Sequence, residues 1–438
     1  MPKFSGIDAS LIAAFSGKSF VEGGGGGVTL PSETDTGVIY FEAGGFNSSI
    51  IDADEIFSSA SISLYKSQIF DRTDIVSIKT NPYHIFALSS TGVLYSAGST
   101  NTTSMGRSTT GTGNETYNFV ETLTSVDKFA PHANGCFAIK TDGTLWWCGS
   151  ISNYAQAANI SNQSVNYAYG SWLQFGTDTD WKGIFIFPSY PYAAFAVKGG
   201  IGSEYLYSCG YNQYGRTGLG LSSGITLGWT RVKSDASTDW TETIDWVHSS
   251  YYGVTIITKS GKLFCMGDGQ YHGCGQGGTT DQLYPIQVGT DTDWVKSYDV
   301  GQAGAFAIKS TGEIYSSISN TGYYEIRPST ADRTFRQCGT GSDYEDIRVQ
   351  DTINGSGAEV IFKKSTDGNW YFNANQTFYC LGGANPVTDG ADNWITINEV
   401  LQGNDMTRTG SIEDILITFK NNNQVQGEII TFVISGSA

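Results

Sequence analysis

The chain has 438 residues, of which 42 are acidic and 25 are Lys or Arg, for a formal net charge of −17. That length supports a large core, and that balance excludes the basic stripe on which nucleic-acid affinity rests. Glycine is abundant at 55 residues and Lys is scarce, a composition of extracellular or virion-surface proteins, and no run approaches the roughly 18 apolar residues of a membrane span.

The chain opens on an internal echo, Phe4-Ser5-Gly6 and Phe15-Ser16-Gly17, around Ile7-Asp8-Ala9-Ser10-Leu11-Ile12-Ala13-Ala14. Asp8, Ser10 and Ser16 break its apolar run, so it does not read as a signal peptide, and Pro2 rules out N-myristoylation. An unbroken glycine run, Gly23 to Gly27, follows, and such a run is a flexible tether. An apolar peptide on a tether reads as a docking peg, with Phe4, Ile7, Leu11, Ile12, Phe15 and Phe20 as its contact residues. The alternatives are a disordered leader or a strand closing the last repeat. Residues 1–27 are thus expected to be peptide and tether. Residues 28–60, with Val38-Ile39-Tyr40-Phe41, are expected to supply one or two strands that pack on or close the body at 61–438.

From residue 74 onward one phrase recurs about every 50–60 residues. It reads FALSSTGVLYSAG from Phe86, FAIKTDGTLWWCG from Phe137 and FAVKGGIGSEYLYSCG from Phe195. It returns as IITKSGKLFCMG from Ile256, FAIKSTGEIYSSI from Phe306, IFKKSTDGNWYFN from Ile361 and, more faintly, LITFKNNNQVQGEI from Leu416. Each copy is expected to start at an acidic-aromatic pair: Asp180-Trp181, Asp239-Trp240, Asp293-Trp294 and Asn393-Trp394, with weaker forms at Asp74-Ile75, Val126-Asp127 and Asp343-Tyr344. A first strand follows the pair, then a loop, a second strand, a tight turn and a third strand. Gly92, Gly143, Gly261, Gly312 and Gly368 end the turn, where a short hairpin loop demands positive φ. Ile, Val, Phe, Tyr and Trp fill the strands, as a half-buried pleated surface requires. Units with two apolar faces bury them only by stacking, and seven short meanders do this as an all-β, seven-bladed β-propeller with a short N-terminal extension.

The pattern Asp-Trp, then Phe-Ala-Ile-Lys-x-x-Gly-x-Leu-Tyr-x-x-Gly, then Asn-x-x-Gly resembles the repeat of the regulator of chromosome condensation family. Leu206-Tyr207-Ser208-Cys209-Gly210-Tyr211-Asn212-Gln213-Tyr214-Gly215 carries the resemblance best, followed by Phe264 to Gly273. It covers residues 60–438 and implies a seven-bladed propeller. Ser316 and Ser317 replace the expected residues in copy five, and copies six and seven are worn. The acidic charge argues against carrying over that family's chromatin function. The N-terminal head is similar to the short heads of tail-associated phage proteins.

Catalytic and metal motifs are not found. His84, His132, His248 and His272 lack ligand spacing and read as surface or loop histidines. There is no nucleophile elbow and no phosphate-cradling loop. Asp52-Ala53-Asp54-Glu55 and Asp178-Thr179-Asp180 offer weak Ca²⁺ ligands without an EF-hand pattern, and the repeated Asp before Trp reads better as a turn or cap residue. Cys148 and Cys209 occupy equivalent positions before a strand-closing glycine and read as small packing residues, while Cys265 and Cys274 on one loop are a candidate pair. No cofactor, no metal and no enzymatic activity are expected.

In a meander, the loops after strands one and three share a face opposite the glycine turns. Those loops carry Tyr83, Tyr190, Tyr192, Tyr211, Tyr214, Tyr251, Tyr252, Tyr271, Tyr323 and Tyr324, with Asn101, Asn153, Asn212 and Asn320. Tyr supplies rigid apolar area with a polar tip, so this rim is the expected binding surface for a host glycan or protein. A chain with a virion-like surface and no export signal reads as a bacteriophage virion protein assembled in the host cytoplasm. It would be associated with tail or fibre and would contact other virion proteins through its N-terminus, with no nucleic acid and no membrane insertion. The alternatives are a capsid decoration protein or head fibre, and a soluble, inhibitor-like protein-binding propeller.

Overall fold

The computed structural model describes residues 37–46, 74–80, 84–98, 105–107, 116–132, 135–150, 168–186, 193–250, 252–270, 276–299, 304–317, 334–337, 342–351, 358–364, 370–373, 394–396, 412–422 and 425–434. Strand β1 (Gly37–Phe46) comes first. Then come β2 (Ile75–Thr80), β3 (His84–Ser89), β4 (Leu94–Gly98) and β5 (Thr116–Leu123), followed by β6 (Val126–His132), β7 (Gly135–Lys140), β8 (Leu145–Ser150) and β9 (Ala168–Phe175). The third set is β10 (Trp181–Ile186), β11 (Ala193–Lys198), β12 (Tyr205–Tyr211) and β13 (Ile225–Arg231), and the fourth is β14 (Ile244–Ser249), β15 (Gly253–Thr258), β16 (Leu263–Gly267) and β17 (Gln282–Gln287). β18 (Trp294–Asp299), β19 (Ala305–Lys309), β20 (Ile314–Ser316) and β21 (Arg336–Gln337) precede β22 (Tyr344–Asp351), β23 (Ala358–Lys364), β24 (Trp370–Asn373) and β25 (Trp394–Thr396). The last pair is β26 (Ile412–Asn422) and β27 (Val425–Ile434).

Each successive set of four forms its own meander sheet, making six, and β1-β27-β26 makes a seventh of three strands. The fold is an all-β, seven-bladed β-propeller. One compact unit spans Asp74–Ala358; the other brings together Met1–Thr73 and Glu359–Ala438.

Within the first unit, period-2 alternation sends each second strand to two neighbours. Phe137 and Ile139 of β7 share a core with Ala194, Ala196 and Cys209 of the third sheet. Cys136 and Ala138, on the opposite face of β7, share one with Phe86 and Leu88 of the first. Phe195 and Val197 of β11 meet Val254 and Ile256 of β15 in the same way. A large face thus packs on a smaller one, and the buried Cys136, Cys148 and Cys209 serve as small packing residues. Cys265 lies within β16 rather than on a loop, facing the fifth sheet, because its strand pairs with β15 through that position.

A backbone latch joins consecutive sheets. The amides of Val126, Trp181, Trp294 and Tyr344 donate to the carbonyls of the preceding turn glycines, Gly92, Gly143, Gly261 and Gly312, at 2.8–3.2 Å. Those glycines have φ of +75° to +81°. A Cβ on Gly143 would fall 2.0 Å from the Thr179 carbonyl oxygen, so this turn needs glycine for close approach as well as for φ. In the third sheet a longer turn replaces the glycine, and the Glu204 carbonyl takes the Ile244 amide instead. Gly368 lies outside the described residues.

Of the four pairs that end in Trp, two start first strands as expected, and each forms a box. Lys198 Nζ lies 2.8 Å from Asp178 and 3.8 Å from Asp180, and 5.2 Å from the Trp181 ring centroid. Lys309 repeats this with Asp291, Asp293 and Trp294. The carboxylates of Asp180 and Asp293, the Asp before Trp, therefore act as lysine partners rather than as the turn or cap groups expected.

The other two pairs are corrections. Trp240 lies beyond β13, where its amide donates to the Val232 carbonyl and its ring meets Phe264 at 5.1 Å. Ile244 begins the first strand of that sheet. Trp394 lies in β25, the fourth strand of its sheet. The copy at Leu416 is shifted as well. First strands β2, β6, β10, β14 and β18 all carry a register shift near their start, and β26 carries one between Ile412 and Asp414. β26 and β27 therefore match first and second strands. The third place goes to β1, which pairs with β27 from Gly37↔Ile434 to Phe46↔Gln426.

Candidate recognition rim

Part of the rim lies where the loop after β12 meets the fourth sheet. It begins with Tyr211, which pairs with Ile225 in the sheet. The chain then bends through a 3₁₀ turn, Gln213–Gly215, and runs to Gly224. Asn212 organises it: the side chain is 1% exposed, accepts from the Thr217 hydroxyl, and donates to Thr226 Oγ1 at 3.0 Å. The Asn212 carbonyl takes the Gly215 amide at 3.0 Å. This explains Asn-x-x-Gly in physical terms, and it removes Asn212 from the ligand-facing set, because its polar atoms are spent inside the loop. Asp268 has the corresponding task after β16, accepting the Gln270 amide at 2.6 Å.

Further bonds pin the loop at intervals. Ser208 Oγ donates to the Thr217 carbonyl at 2.6 Å, as Ser96 Oγ does to Met105 in the first sheet at 2.9 Å. The Gly220 amide donates to the Leu283 carbonyl of β17 at 3.1 Å. Gly215 sits so close to β17 that a Cβ there would meet Leu283 Cα at 2.5 Å. The loop of the third sheet is thereby stapled to the fourth.

Tyr214 is held at φ +63°, a left-handed conformation that a bulky side chain rarely adopts. Its ring lies 6.1 Å from that of Tyr252, tilted by 34°, and the Arg216 guanidinium carbon is 5.6 Å from its centroid. Tyr252 is 9% exposed and so is a buried support for Tyr214. Tyr211 and Tyr214 are half-buried. The structure thus brings Tyr214 and Tyr252 together from the loops after a third and a first strand. Tyr83, Tyr190, Tyr192, Tyr251, Tyr271, Tyr323 and Tyr324 lie outside the described residues, as do Asn101, Asn153, Asn320 and the six apolar head residues Phe4, Ile7, Leu11, Ile12, Phe15 and Phe20.

The histidines need correction. His84 and His132 are 1% and 4% exposed, not surface groups, because they sit in β3 and β6 where sheets stack. Burial first, then the nearby His84, pushes His132 down to about 3. His248 lies in β14 and accepts the Asp299 amide on Nδ1 at 3.0 Å, with the Tyr298 ring 4.9 Å away. Burial pushes it down to about 4 against the opposing charge of Asp299. Among the described residues, no three His, Cys, Asp or Glu side chains gather in a metal-binding group.

No protein-family model matches this sequence, and no curated protein does. Solved structures resemble its fold. Human WBSCR16 superposes with a TM-score of 0.62 at 13% identity, covering 89% of this chain and 98% of that one. Yeast RCC1 (Prp20), in its complex with Kap60, gives 0.59 at 13% identity, covering 95% and 96%. Prp20p from Saccharomyces cerevisiae, in a structure reported with its binding properties to Gsp1p and histones, gives 0.59 at 12% identity, covering 91% and 92%. These likenesses concern the propeller fold.

Proposed function

We propose that this chain is a non-enzymatic bacteriophage virion protein, associated with tail or fibre, whose propeller presents its loop rim to a host surface or to another virion protein. The observation that carries this reading is the pairing of β1 with β27. It pins the chain from residue 37 into the sheet made by residues 412–434, and the apolar head and glycine run precede that pinned strand in the sequence. A tethered peg ahead of a sealed sheet is an attachment device. The rim supports a binding role, with Tyr214 set on Tyr252 in a loop stapled to its neighbour. Yeast Prp20, of the same fold, is described with protein partners, which favours a protein contact over chemistry on a small substrate. The acidic chain, at −17, favours neither nucleic acid nor an anionic membrane surface.

The test is antibody-labelled electron microscopy of particles whose genome encodes this chain. The expected result is density at tail or fibre, with residues 1–22 buried in a neighbouring protein. Density on the capsid would make it a decoration protein. Absence from every particle would end the virion reading and leave the soluble, inhibitor-like binder.

A further inference from the structure

The loop that follows β14 is tied to the fifth sheet through one hydroxyl. Ser250 donates its Oγ–H to the Asp299 carboxylate of β18, and the same Oγ accepts the Tyr252 amide at 3.3 Å. Ser250 and Asp299 are 4% and 0% exposed, so these bonds are made away from water. The Tyr252 carbonyl accepts the Asp268 amide at 2.9 Å, and the Tyr252 ring supports Tyr214 from 6.1 Å. The position of the rim tyrosine therefore depends on where Asp299 sits.

Asp299 is placed in turn by a histidine. Its amide donates to His248 Nδ1 at 3.0 Å, which leaves the imidazole neutral with its proton on Nε2. His248 pairs with Thr255, on the face of the fourth sheet that carries Ile257 toward the fifth. Val247 and Ile256 occupy the opposite face, against the third sheet. Among the described residues, β18 supplies the ionisable groups that face His248. They are the Asp299 carboxylate and Tyr298, whose ring centroid lies 4.9 Å away. The Tyr298 hydroxyl donates to Asp346 at 3.2 Å, and Asp346 is paired with Lys296 at 2.9 Å. β15 carries no ionisable side chain. On the far face, Lys182 of β10 is exposed and Lys198 of β11 is paired with Asp178.

A protonated imidazole has a donor at each nitrogen, so Nδ1 can take a proton only once the Asp299 amide has left it. Burial, against the opposing charge of Asp299, holds His248 down at about 4, compared with 6.5 when exposed. The closed arrangement thus excludes the proton, and the open one takes it up. Opening is opposed in full above 6.5 and becomes easier as pH falls from 6.5 toward 4.

We infer that His248 is an acid-sensitive clasp of the rim: uptake of a solvent proton at Nδ1 frees Asp299, and with it Ser250, Tyr252 and the support of Tyr214. A partner held at Tyr214 is then released in acid while the sheets stay folded. This deepens the binding role proposed for the rim and rests on it for the partner; the clasp itself belongs to the free chain.

Hydrogen exchange of the free full-length chain at pH 7 and pH 5, read by NMR as protection factors, tests this. The amides of Tyr252, Asp268 and Asp299 make the bonds that opening breaks. Their protection should fall about twentyfold between the two pH values, as a histidine moving from about 4 to 6.5 on opening requires. Low urea should leave that fall unchanged, since a local opening exposes little surface. His248→Asn keeps an acceptor near the Nδ1 position and cannot titrate, so the same amides should change by less than about threefold. Ser250→Ala cuts the relay instead. At pH 7 the Tyr252 amide should lose at least about tenfold of its protection while Asp299 keeps its own, with an unfolding curve that shows the fold retained. Equal pH dependence in the native chain and His248→Asn would overturn the inference. So would exchange of the three amides only with the whole molecule, at the protection of the β11 amides, or a Tyr252 amide indifferent to Ser250→Ala. Absence of the chain from every particle leaves this result intact, and a failed clasp leaves the virion reading intact.

Discussion

Positive φ and close approach are two separable reasons for glycine, and a position can have one or both. Gly143 and Gly202 both have φ near +80°. Beside Gly202 there is open space, whereas a Cβ on Gly143 would fall 2.0 Å from the Thr179 carbonyl oxygen that leads into the next sheet. Gly202→Ala should therefore cost only the left-handed backbone penalty, about 1–2 kcal/mol. Gly143→Ala should cost clearly more, because the latch from Trp181 to the Gly143 carbonyl must also give way. Denaturant unfolding of the two variants measures the difference, and equal losses would show that the close approach carries no energy. The glycine and its sign of φ were legible in the sequence. The second reason was not, since Thr179 lies 36 positions away. Asn212 and Tyr252 teach the same lesson: type and loop position were readable, but which atoms face inward depends on partners from other loops.

An element of this fold is one strand in a four-strand meander, and its place is set by register. The early register shift of β2, β6, β10, β14 and β18 recurs in β26 and assigns β26 and β27 to first and second places, which leaves the third place for β1. The chain end thus depends on the chain start. Removing residues 1–46 should strip β27 of one neighbour and expose its backbone hydrogen-bonding groups. Hydrogen exchange should then show protection lost across 425–434, while 126–267, in the other compact unit, keeps its protection within about twofold of the intact chain. Undiminished protection in β27 would mean that β1 contributes nothing to the sheet. The Asp-Trp pairs show why local motifs mislead at this scale. Trp181 and Trp294 start strands, while Trp240 has a similar pattern but is displaced by the tight loop in which Asp235 accepts the Ser237 and Thr238 amides.

The whole molecule carries its buried histidines as a pH liability. His132 is held at about 3 and His248 at about 4 in the folded chain, against 6.5 when exposed. Below 6.5 the unfolded chain therefore binds more protons than the folded one. Stability is full above that value and is lost as pH falls toward 4. His132 alone accounts for about 2 kcal/mol at pH 5. Asp142, held low by Thr144, and Glu204, held low by Lys259, act below that window because unfolded carboxylates titrate near 4. Unfolding curves at pH 7 and pH 5 should differ by at least that amount, and His132→Gln should flatten the slope even if it lowers stability throughout. A slope unaffected by His132→Gln would mean that the site admits water enough to protonate freely.

The class of the fold was legible in the repeats alone. A phrase repeated seven times, with a glycine-ended turn and apolar alternation, leaves stacked meander sheets as the way to bury both faces of each unit. The sequence also located the strand in residues 28–60 that closes the chain end, because Val38-Ile39-Tyr40-Phe41 has no business in a polar linker. Which strand place β26 holds, and that His84 and His132 are enclosed, emerges only in the assembled fold. The physical reason is range. Periodicity and turn chemistry act within a few residues and are written in order along the chain. Burial and close approach arise between residues tens of positions apart, and come into being only once the sheets have stacked.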